Sequence, residues 1–470
     1  MHIVNKLRSI IGEKYVLTGT DTNAWSTDWT GKYSCQPMAV VRPADSQEIS
    51  KIIKLANEAS TPVVPIAGGT GLTGGTYAQD AILVSVDRLN KIMSINVEGR
   101  TAVVESGVIL ASLHKAADDY GLIFPLTFGA KGSARIGGCL ANNAGGSNVL
   151  RYGNTRDLCL GIEVVLGNGD IMNLMTELHK DNTGYNLRNL LIGSEGTLGI
   201  ITAAVLKLAP KPRAYATAIF AASSLPSALR LLNHLKEATN DAVEAFEFMP
   251  GNYVEAYLSK HSDAKAPFEQ TYDINVLVEI GATAPRDALV DADGNLPVVN
   301  YLQTLLAEGL EDESILNAVI ASSESQRLQL WAMREAAAEL AHDHPGMIGN
   351  DITLPLANVE SFLQQMDLRL KNIDHSAKTM IVAHLGDGNI HYAVHPSSTD
   401  KQLRETIIES VEKLAISMGG SFSAEHGIGL SKLGSMKAHK DPIALQVMRN
   451  IKHALDPNNI LNPGKVIPES

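Results

Sequence analysis

Cysteine is scarce in this chain, and its placement excludes several kinds of site. Cys35, Cys139 and Cys159 lie far apart in the 470 residues, and none belongs to a CxxC pair. Structural zinc knuckles and iron–sulfur clusters need closely spaced cysteines, so we expect neither. Dispersed, unpaired thiols are typical of a reducing compartment, which predicts a cytoplasmic protein. Peripheral association with a membrane is left open.

Excess positive charge and long apolar runs are lacking as well. The formal net charge is −12, which argues against sequence-independent binding of nucleic acid. No apolar run approaches the length of a membrane span. The start, MHIVNKLRSIIGEKY, carries charges throughout and lacks the apolar core of a signal peptide. A chain of 470 residues is expected to form two or three domains.

Strand and helix patterns alternate along the first part of the chain. MAVVRP (38–43) and VVPIA (63–67) are apolar and β-branched, which predicts two strands. Between them, Asp45 and Glu48 are placed to cap a helix whose apolar residues recur on one face. Glycine becomes sparse after PKPR (210–213), where we place the first domain boundary.

Glycine clusters in loops, and the first of these is GGTGLTGGT (68–76). Residues 69–74 match GxGxxG, but a Rossmann loop must open a helix that binds the pyrophosphate. Here a strand pattern (81–89) follows instead. The loop can still wrap a diphosphate with backbone N–H groups, because glycine lets the chain approach closely. The alternative is a plain glycine-rich turn between strands.

Further glycine-rich segments follow at wide spacing, and together they favour one large, extended ligand. The ordered set PxxGGTGL, FPLTFG, IGG, NNAGG and GSEGTLGIIT, over roughly residues 36–212, resembles the FAD domain of the vanillyl-alcohol-oxidase-like flavoproteins. The resemblance implies FAD, with the first loop around its pyrophosphate. No histidine or cysteine lies in that loop, so we predict non-covalent FAD and interpret Cys139 as a buried small residue. The cofactor-binding residues that the resemblance implies are Pro65, Ile66, Ala67, Gly68, Gly69, Thr70, Gly71, Gly74, Gly75, Pro125, Thr127, Gly129, Ser133, Ile136, Gly137, Asn142, Ala144, Gly145, Glu195, Gly199, Ile200 and Asn462.

Three histidines surround a turn in AHLGDGNIHYAVHP (383–396). Asp387-Gly388 is a favoured two-residue hairpin turn, and folding there sets His384 opposite His391. Directly opposed side chains lie about 5 Å apart at Cβ, close enough for two imidazoles to share a metal. His395 is about 13 Å farther along the strand and is not expected to join them. The alternative is a cross-strand histidine pair without a metal.

A third ligand is available in SAEHGIGLSK (423–432), where Glu425 and His426 are adjacent. Two histidines and one carboxylate leave a metal position open for substrate, which is the catalytic rather than the structural pattern. Other histidines carry no such argument, and we interpret them as surface residues: His342, His344, His375 and His395.

HLGDGNIH, SAEHGIG and LDPNNILNPGK, in this order, resemble the C-terminal half of the FAD-linked D-2-hydroxy acid dehydrogenases. This family includes D-2-hydroxyglutarate dehydrogenases, D-lactate dehydrogenases and glycolate oxidase subunits. The resemblance implies that His384, His391 and Glu425 hold a divalent metal, with zinc favoured over manganese or iron. It implies that His426 is the catalytic base and that Arg334, in WAMREAAAE, binds the substrate carboxylate. His384, His391 and His426 would also contact the substrate.

The chemistry of such a reaction needs these residue types. A metal lowers the pKa of the substrate hydroxyl, a neutral histidine takes the proton, and a guanidinium grips the carboxylate. The predicted reaction is FAD-dependent oxidation of a D-2-hydroxy acid to the 2-oxo acid, with hydride passing to flavin N5. The resemblance gives the electron acceptor as a separate quinone, electron-transfer flavoprotein or cytochrome. A homodimer is left open.

The predicted fold class is α+β. A vanillyl-alcohol-oxidase-type FAD-binding domain of the PCMH type is expected over residues 1–212. An α+β substrate and metal-binding cap domain with an antiparallel sheet is expected over 213–430. The C-terminal segment 431–470 is expected to return to the FAD domain.

Three positions depart from the D-2-hydroxyglutarate enzymes. Those enzymes carry threonine, lysine and asparagine where this chain has Ala338, Gly349 and Ala393. The distal carboxylate of 2-hydroxyglutarate would lack its expected partners, and burying it unpaired would be costly. We therefore predict a smaller or more apolar tail, as in D-lactate or a longer aliphatic or aromatic D-2-hydroxy acid. The alternatives are a D-2-hydroxyglutarate dehydrogenase with a rearranged distal site, a metal-dependent hydrolase and a non-catalytic FAD-binding module.

Overall fold

The computed structural model describes residues 2–292, 294–344 and 346–469. The chain forms two compact units. Their boundaries lie after residues 210 and 424, and a short segment from the first half joins the second unit. The domain bounds at 212 and 430 stay a prediction. That segment belongs there because Leu150 packs against the apolar core of the second unit and Arg151 pairs with Glu244. Unit 1 comprises Met1–Gly145, Gly153–Pro210 and Glu425–Ser470, and unit 2 comprises Gly146–Tyr152 and Lys211–Ala424.

The helices are numbered along the chain. Among the residues that the structure describes, no helix is both long and apolar enough to cross a membrane. Short 3-10 helices cover Glu13–Tyr15, Gly19–Trp25, Gly129–Gly132 and Leu356–Asn358. The α-helices are α1 (His2–Ile11), α2 (Ser46–Glu58), α3 (Leu110–Asp118), α4 (Ile136–Asn142), α5 (Val149–Tyr152), α6 (Leu187–Leu191), α7 (Leu225–Thr239), α8 (Gly251–Lys260), α9 (Pro285–Ala288), α10 (Pro297–Glu311), α11 (Glu324–Glu335), α12 (Ala337–Ala341), α13 (Val359–Ile373), α14 (Lys401–Ser417), α15 (Leu433–His439) and α16 (Pro442–Leu455).

The strands form separate sheets in the two units. They are β1 (Val16–Leu17), β2 (Ala39–Val41), β3 (Val63–Ile66), β4 (Ile82–Ser85), β5 (Ile92–Asn96), β6 (Thr101–Glu105), β7 (Leu122–Ile123), β8 (Cys159–Leu166), β9 (Ile171–Leu174), β10 (Gly199–Lys207), β11 (Ala209–Pro210), β12 (Ala214–Ala222), β13 (Val243–Pro250), β14 (Ile274–Ala282), β15 (Ile315–Ile320), β16 (Ile348–Thr353), β17 (Lys378–His384) and β18 (Asn389–His395).

The first sheet of unit 1 has the strand order β1-β2-β4-β3. Both β2 and β3 run parallel to β4, so α2 crosses from one parallel strand to the other. Asp45 caps α2 by accepting from the Glu48 N–H at 2.8 Å, while the Glu48 carboxylate accepts from the Ala44 N–H at 2.6 Å. Ile49 and Ile52 are fully buried. The predicted cap and apolar helix face are confirmed.

The glycine loop 68–76 lies between β3 and β4. Residues 67–81, all of which the structure describes, contain no helix. The Rossmann interpretation therefore fails, because its pyrophosphate site is the N-terminus of a helix that directly follows the loop. The second sheet of unit 1 has the order β5-β6-β10-β8-β9 with antiparallel pairings.

The segment after α16 attaches to the first sheet of unit 1. The Val63 N–H donates to the Ile460 carbonyl, and the Asn462 N–H donates to the Val63 carbonyl, both at 2.7 Å. Nearby, Lys452 is 13% exposed and donates to the carbonyls of Thr197 and Leu461 at 2.8 and 2.7 Å. The same ammonium pairs with the buried Asp456 carboxylate. One cation thus satisfies three acceptors.

Unit 2 is built on the antiparallel sheet β15-β12-β14-β13-β17-β18-β16, as predicted for the cap domain. One face, which carries Phe246, packs against α7, α10, α13 and α14. The other face, which carries Met249 and Val382, packs against α8 and α11. Because side chains alternate along a strand, Glu247 and His384 lie on the face covered by α8 and α11.

Replacing Lys452 by methionine should destabilise unit 1. The change leaves two carbonyls and a buried carboxylate without their cation, and breaking a buried pair in this way costs about 3–5 kcal/mol. Lys413→Met is the matched control, because Lys413 pairs with Glu409 at i,i+4 on an exposed helix surface, where ion pairs contribute little. We expect a melting temperature for K452M well below those of wild type and K413M. Equal melting temperatures for the two variants would contradict this account.

Candidate functional site

The predicted cofactor loop of unit 1 lines a cavity of about 510 Å³. Its wall contains five residues of the predicted cofactor set: Ile66, Ala67, Gly68, Gly69 and Ser133. The sequence patterns did not identify the other wall residues, which either come from segments without a glycine motif or lie beside a glycine motif. They include Trp25, Tyr33, Cys35, Tyr77, Asp87 and Arg135.

Two glycines of these loops, Gly68 and Gly137, stand where a side chain would collide. A Cβ on Gly68 would overlap the Ser133 carbonyl oxygen, and one on Gly137 would lie 2.7 Å from the Ser106 Cβ. The loops therefore approach through backbone, as the binding of a diphosphate requires. In the wall, Asp87 Oδ1 is buried without a hydrogen-bond partner among the described residues. It leaves an acceptor for a hydroxyl or N–H of a bound cofactor, so these residues fit a dinucleotide such as FAD.

The rest of the predicted cofactor set lies in unit 1, on β3, α4, the start of β10 and the connecting loops. Cys139, on α4, is buried as predicted, and burial raises the pKa of its thiol to about 12. Contact of the whole predicted set with the cofactor stays a prediction. The members outside the cavity wall are Pro65, Thr70, Gly71, Gly74, Gly75, Pro125, Thr127, Gly129, Ile136, Gly137, Asn142, Ala144, Gly145, Glu195, Gly199, Ile200 and Asn462.

Glu195 and Asn462 use their side chains to join segments of unit 1. The Glu195 carboxylate accepts from the N–H groups of Ile428 and Gly429 at 2.7 and 2.8 Å. Asn462 Nδ2 donates to the carbonyls of Gly75 and Glu195 at 3.0 and 2.8 Å. Burial raises the pKa of Glu195, against the effect of its two backbone hydrogen bonds. The two side chains thus hold the glycine-rich loops and the C-terminal segment in one arrangement.

His426 lies in the same unit, next to the glycine loop. Thr73 Oγ1 donates to the His426 carbonyl at 3.4 Å, and the Leu430 N–H donates to the Thr73 carbonyl at 2.8 Å. Gly427 has a φ of 77°, and a Cβ there would lie 2.7 Å from Glu195 Oε1. The HGIG sequence therefore lets this segment pack closely against Glu195. Backbone contacts tie the predicted base to the predicted cofactor loop.

The histidine hairpin of unit 2 forms with a register different from the predicted one. β17 ends at His384 and β18 begins at Asn389, so the loop 385–388 has four residues rather than two. His384 pairs with Asn389, and His391 pairs with Val382. The predicted direct opposition of the two histidines is wrong, because two loop N–H groups donate to the His384 carbonyl and close a wider turn.

The two histidines nevertheless meet. A register shift of two residues keeps side chains on the same face, since the strand period is two. His384 and His391 are therefore a diagonal pair, and their rings lie edge to face with centroids 5.3 Å apart. The proximity on which the predicted metal site depends is present within unit 2.

Each histidine faces a buried carboxylate on the strand that flanks its side of the hairpin. Glu247 on β13 is directly opposite His384, and Asp351 on β16 is directly opposite His391. His384 Nδ1 lies 2.9 Å from Glu247 Oε1, and His391 Nδ1 lies 3.7 Å from Asp351 Oδ1. Asp351 also accepts from Asn389 Nδ2 at 3.0 Å. The carboxylate–histidine row, Glu247-His384-His391-Asp351, crosses adjacent strands on one face of the sheet.

Arg334 joins the carboxylate–histidine row from α11. It is buried, its Nε donates to Glu247 Oε2 at 2.6 Å, and its Nη2 lies 3.5 Å from His384 Nδ1. Burial alone would raise the pKa of Glu247, but the contacts with His384 and Arg334 outweigh burial and lower it to about 2. Glu247 is therefore a carboxylate at neutral pH.

Glu247 and Asp351 are absent from the sequence-based prediction. The available signal was the pair of carboxylates, Glu244 and Glu247, inside the otherwise apolar strand VEAFEFMP, because a buried charge needs a partner. The partners of Glu247 are Arg334 and His384, 87 and 137 residues farther along the chain. No local pattern reveals a pairing of that kind.

The predicted substrate and metal residues divide between the two units. Arg334 and both hairpin histidines come together in unit 2. Glu425 and His426 open the last segment of unit 1. The chain enters that segment from Ala424, whose N–H donates to the Asp351 carbonyl at 3.2 Å within unit 2. Participation of Glu425 in a metal site stays a prediction.

The positions that depart from the D-2-hydroxyglutarate enzymes adjoin the carboxylate–histidine row. Ala393 lies on the same face, two residues beyond the second histidine, and its cross-strand partners are Gly349 on β16 and Met380 on β17. A Cβ on Gly349 would lie 3.5 Å from Met347 Sδ, an ordinary contact. Ala338 lies on α12. Small and apolar groups therefore follow the histidines along this face.

The four predicted surface histidines differ in exposure. His342 and His375 are exposed, whereas His344 and His395 are half-buried and stack with ring centroids 5.0 Å apart. His395 also contacts the Ala341 carbonyl at 2.9 Å through Nε2. His395 is partly covered because its position on β18 directs it to the covered face of the sheet.

Two family models match the chain. The model described as "FAD binding domain" matches residues 37–175, and the model described as "FAD linked oxidases, C-terminal domain" matches residues 211–466. A D-2-hydroxyglutarate dehydrogenase of Stutzerimonas stutzeri (strain A1501) is 32% identical, covering 99% of this chain and 98% of the relative. A mitochondrial D-2-hydroxyglutarate dehydrogenase of Arabidopsis thaliana is 33% identical, covering 99% of this chain and 82% of the relative.

A solved structure shares the fold. The 4-ethylphenol oxidase from Gulosibacter chungangensis, in its isoeugenol complex, superposes with a TM-score of 0.75 over 100% of this chain and 97% of that chain. Its sequence identity of 18% limits the likeness to the fold. Together these findings confirm the predicted α+β fold with its flavoprotein-type domain, and they confirm FAD as the cofactor.

Replacing Gly68 by alanine should weaken FAD binding. The new Cβ would meet the Ser133 carbonyl across the cavity wall, so one of the two loops must move. Gly434→Ala is the control, because Gly434 lies on α15 of the same unit, outside the predicted cofactor set, and nothing lies within 4 Å of a Cβ there. We expect G68A to be purified with a lower ratio of flavin to protein absorbance than G434A, with similar circular dichroism. Equal FAD content and equal FAD affinity in the two variants would refute this role for Gly68.

Proposed function

The chain belongs to the FAD-linked oxidases, in the family that includes the D-2-hydroxyglutarate dehydrogenases, and on this premise we propose that it oxidises a D-2-hydroxy monocarboxylic acid to the 2-oxo acid. FAD-dependent 2-hydroxy acid dehydrogenase activity follows from the family. The choice of substrate and the roles of the residues are the proposal. The observation that carries it is the carboxylate–histidine row with Arg334, bordered by Ala393 and Gly349.

FAD, when bound, supplies the acceptor for the hydride that leaves C2 of the substrate. The protein's part in unit 1 is to hold the cofactor through close backbone approach at Gly68 and its neighbours. We propose that the FAD is non-covalent. Cys139 is an unsuitable attachment point, because burial keeps its thiol protonated.

Arg334 is proposed to bind the substrate carboxylate. A guanidinium grips a carboxylate through two parallel N–H donors, which sets both the position and the rotation of the substrate. That grip decides which C–H bond is presented for transfer, so it accounts for selectivity between D and L acids. The Arg334 side chain is well placed for such selection because Glu247 already restrains it.

His384, His391 and Glu425 are proposed to hold a divalent cation, zinc in preference to manganese or iron. Imidazole and carboxylate donors suit these metals. The carboxylates of Glu247 and Asp351 approach the histidines at Nδ1, the usual support for imidazoles that ligate through Nε2. Such a cation would supply Lewis acidity that lowers the pKa of the substrate hydroxyl.

His426 is proposed to take the hydroxyl proton. A neutral imidazole near physiological pH is suited to this step, which commonly contributes 10²–10⁴-fold to a rate. Its segment is tied to Thr73 of the glycine loop and to Glu195 through Gly429. These ties support the assignment because a base must keep a fixed position relative to the cofactor.

A monocarboxylate is favoured over a dicarboxylate by the groups that border the carboxylate–histidine row. Gly349 and Met380 are the cross-strand neighbours of Ala393 on its two sides, and none of the three can donate a side-chain hydrogen bond to a second carboxylate. D-lactate or a longer aliphatic or aromatic D-2-hydroxy acid meets this description. D-2-hydroxyglutarate is the second candidate, and the names of the two relatives favour it.

The proposal also covers the electron acceptor, the oligomeric state and the cellular compartment. Electrons would leave to a separate quinone, electron-transfer flavoprotein or cytochrome, and the enzyme would act as a homodimer. A cytoplasmic location is proposed from the dispersed, unpaired cysteines. Some relatives are named as mitochondrial proteins, so the compartment is tested by direct localisation of this protein.

Replacing His426 by asparagine should lower kcat by about 10²–10⁴-fold, because proton removal loses its base. The visible flavin absorbance should be unchanged, since the hydrogen bond from Thr73 of the glycine loop uses the backbone carbonyl at position 426, which asparagine retains. His375→Asn is the control, because His375 is an exposed histidine outside the proposed substrate and metal set. Single-turnover reduction of the flavin under anaerobic conditions measures the step. A rate for H426N within threefold of that for H375N would disprove the assignment.

A panel of D-lactate, D-mandelate, a branched aliphatic D-2-hydroxy acid and D-2-hydroxyglutarate tests the proposed substrate class. We expect kcat/KM for the best monocarboxylate to exceed that for D-2-hydroxyglutarate by about tenfold or more, equivalent to about 1.4 kcal/mol for one unpaired charged group.

The double variant G349K/A393N restores two polar handles and should shift this ratio toward D-2-hydroxyglutarate. Its control is G349K/A393V, which adds the positive charge without the amide. A wild-type KM for D-2-hydroxyglutarate far below those for every monocarboxylate would establish the second candidate instead.

A further inference from the structure

We propose that Glu247 is a positioning residue that holds the Arg334 guanidinium and the His384 imidazole in one fixed arrangement. The inference rests on the proposed function, because that function assigns Arg334 to the substrate carboxylate and His384 to the metal. Glu247 itself would touch neither the substrate nor the metal. Its effect is to make the two groups rigid with respect to each other.

The geometry gives each oxygen of this carboxylate its own partner. Oε2 accepts from Arg334 Nε at 2.6 Å, and Oε1 lies 2.9 Å from His384 Nδ1. Glu247 is fully buried, whereas surface carboxylates commonly exchange their partners with water. Short hydrogen bonds to an ionised group are roughly twice as strong as neutral ones. The arrangement is therefore suited to fix orientation rather than merely to neutralise charge.

For His384, the contact selects a tautomer. An ionised carboxylate can only accept, so a neutral imidazole that bonds Glu247 at 2.9 Å carries its hydrogen on Nδ1. Arg334 Nη2, which can only donate, lies farther from this atom, at 3.5 Å. Nε2 then carries the lone pair, which is the form that ligates a metal. Without Glu247, the opposite tautomer would become accessible and would present an N–H to the cation.

For Arg334, the contact fixes the plane of the guanidinium. Nε is engaged by Glu247, so rotation about the last side-chain bonds would break a short buried hydrogen bond. The terminal nitrogens then have a defined direction from which to grip a carboxylate. Because one carboxylate holds both groups, a substrate bound to Arg334 is placed at a set distance from a metal bound to His384.

The chain provides a matched control at Glu279. This residue is also a buried strand carboxylate, and it pairs with an arginine of the same helix, Arg327, at 2.6 and 2.7 Å. Its remaining hydrogen bonds come from Trp331 and Thr217 rather than from a histidine. Glu279→Gln therefore removes the same kind of buried ion pair without touching the carboxylate–histidine row.

Glu247→Gln is the informative variant because it preserves volume and reverses one hydrogen bond. The amide oxygen of glutamine can still accept from Arg334, but its NH₂ group then faces His384 Nδ1. His384 Nδ1 must then accept a hydrogen bond from the glutamine NH₂, so the hydrogen of the imidazole moves to Nε2. Glu247→Asp keeps an acceptor-only carboxylate on a shorter side chain, and it serves as the conservative rescue.

The experiment compares full-length, FAD-loaded wild type, E247Q, E247D and E279Q. Each protein is stripped of metal and titrated with Zn²⁺ against a chromophoric chelator, and KM and kcat are measured with the best monocarboxylate. We expect E247Q to bind Zn²⁺ about 10–100-fold more weakly and to show a raised KM as well as a lowered kcat. E247D should recover part of the Zn²⁺ affinity. E279Q should lie within threefold of wild type in both measurements, although its melting temperature should also fall.

The outcomes separate this inference from the proposed function. If E247Q and E279Q match in Zn²⁺ affinity and in KM, the positioning role is overturned while the dehydrogenase is not. If wild type takes up no Zn²⁺, the proposed metal site fails and the difference in KM between E247Q and E279Q decides the inference. If wild type oxidises no 2-hydroxy acid, the proposed function fails, and the difference in Zn²⁺ affinity between E247Q and E279Q decides the inference. If E247Q does not fold, E247D must show the same losses in smaller measure, and wild-type values for E247D would refute the role.

Discussion

Burial of the Glu247 carboxylate between Arg334 and His384 is the interaction on which the site in unit 2 depends. A carboxylate removed from water loses several kcal/mol of solvation, and its partners offset that loss only in good geometry. β13 must therefore pair with β17 in the register that sets Glu247 opposite His384. α11 must also lie across the same face so that Arg334 reaches the carboxylate. Any slip of these elements would leave a buried charge unpaired, so one ion pair restrains the sheet register, the helix position and the site together.

The glycine-rich loops of unit 1 depend on close backbone approach at glycine rather than on a buried ion pair. A large anionic cofactor needs many donors close to one surface, and side chains would keep the segments apart. Gly68 therefore approaches the Ser133 backbone directly, and Gly427 approaches Glu195. Rigidity then comes from a few long-range ties, chiefly the Glu195 carboxylate on Ile428 and Gly429. Flexible residues are thereby held in one conformation by a buried side chain, which offsets the entropy that glycine loses on folding.

Part of the fold and of the candidate site was predictable from sequence because it depends on interactions between residues close together in the chain. The cap at Asp45 and the absence of a helix after the glycine loop depend on neighbouring residues, and both were predicted correctly. The hairpin was placed correctly but its register was not, because loop hydrogen bonds to His384 favour four loop residues over two. An error of two residues preserved the face of each histidine, so the predicted proximity survived. Glu247 could not be paired from sequence, since its role arises only when β13 and β17 become neighbours.

The departures at Gly349 and Ala393 are one physical change rather than two. The two residues are directly opposed on β16 and β18, and Met380 stands opposite Ala393 on the other side. Directly opposed side chains lie about 5 Å apart, so a lysine and an asparagine at these positions would reach the same small volume. Losing one of them would leave the other as a polar group without its ligand, which is unfavourable where Ala393 is buried. With glycine and alanine at the two opposed positions, the border is apolar throughout. A substrate without a second carboxylate is favoured because both neighbours are apolar, and neither residue alone would decide this.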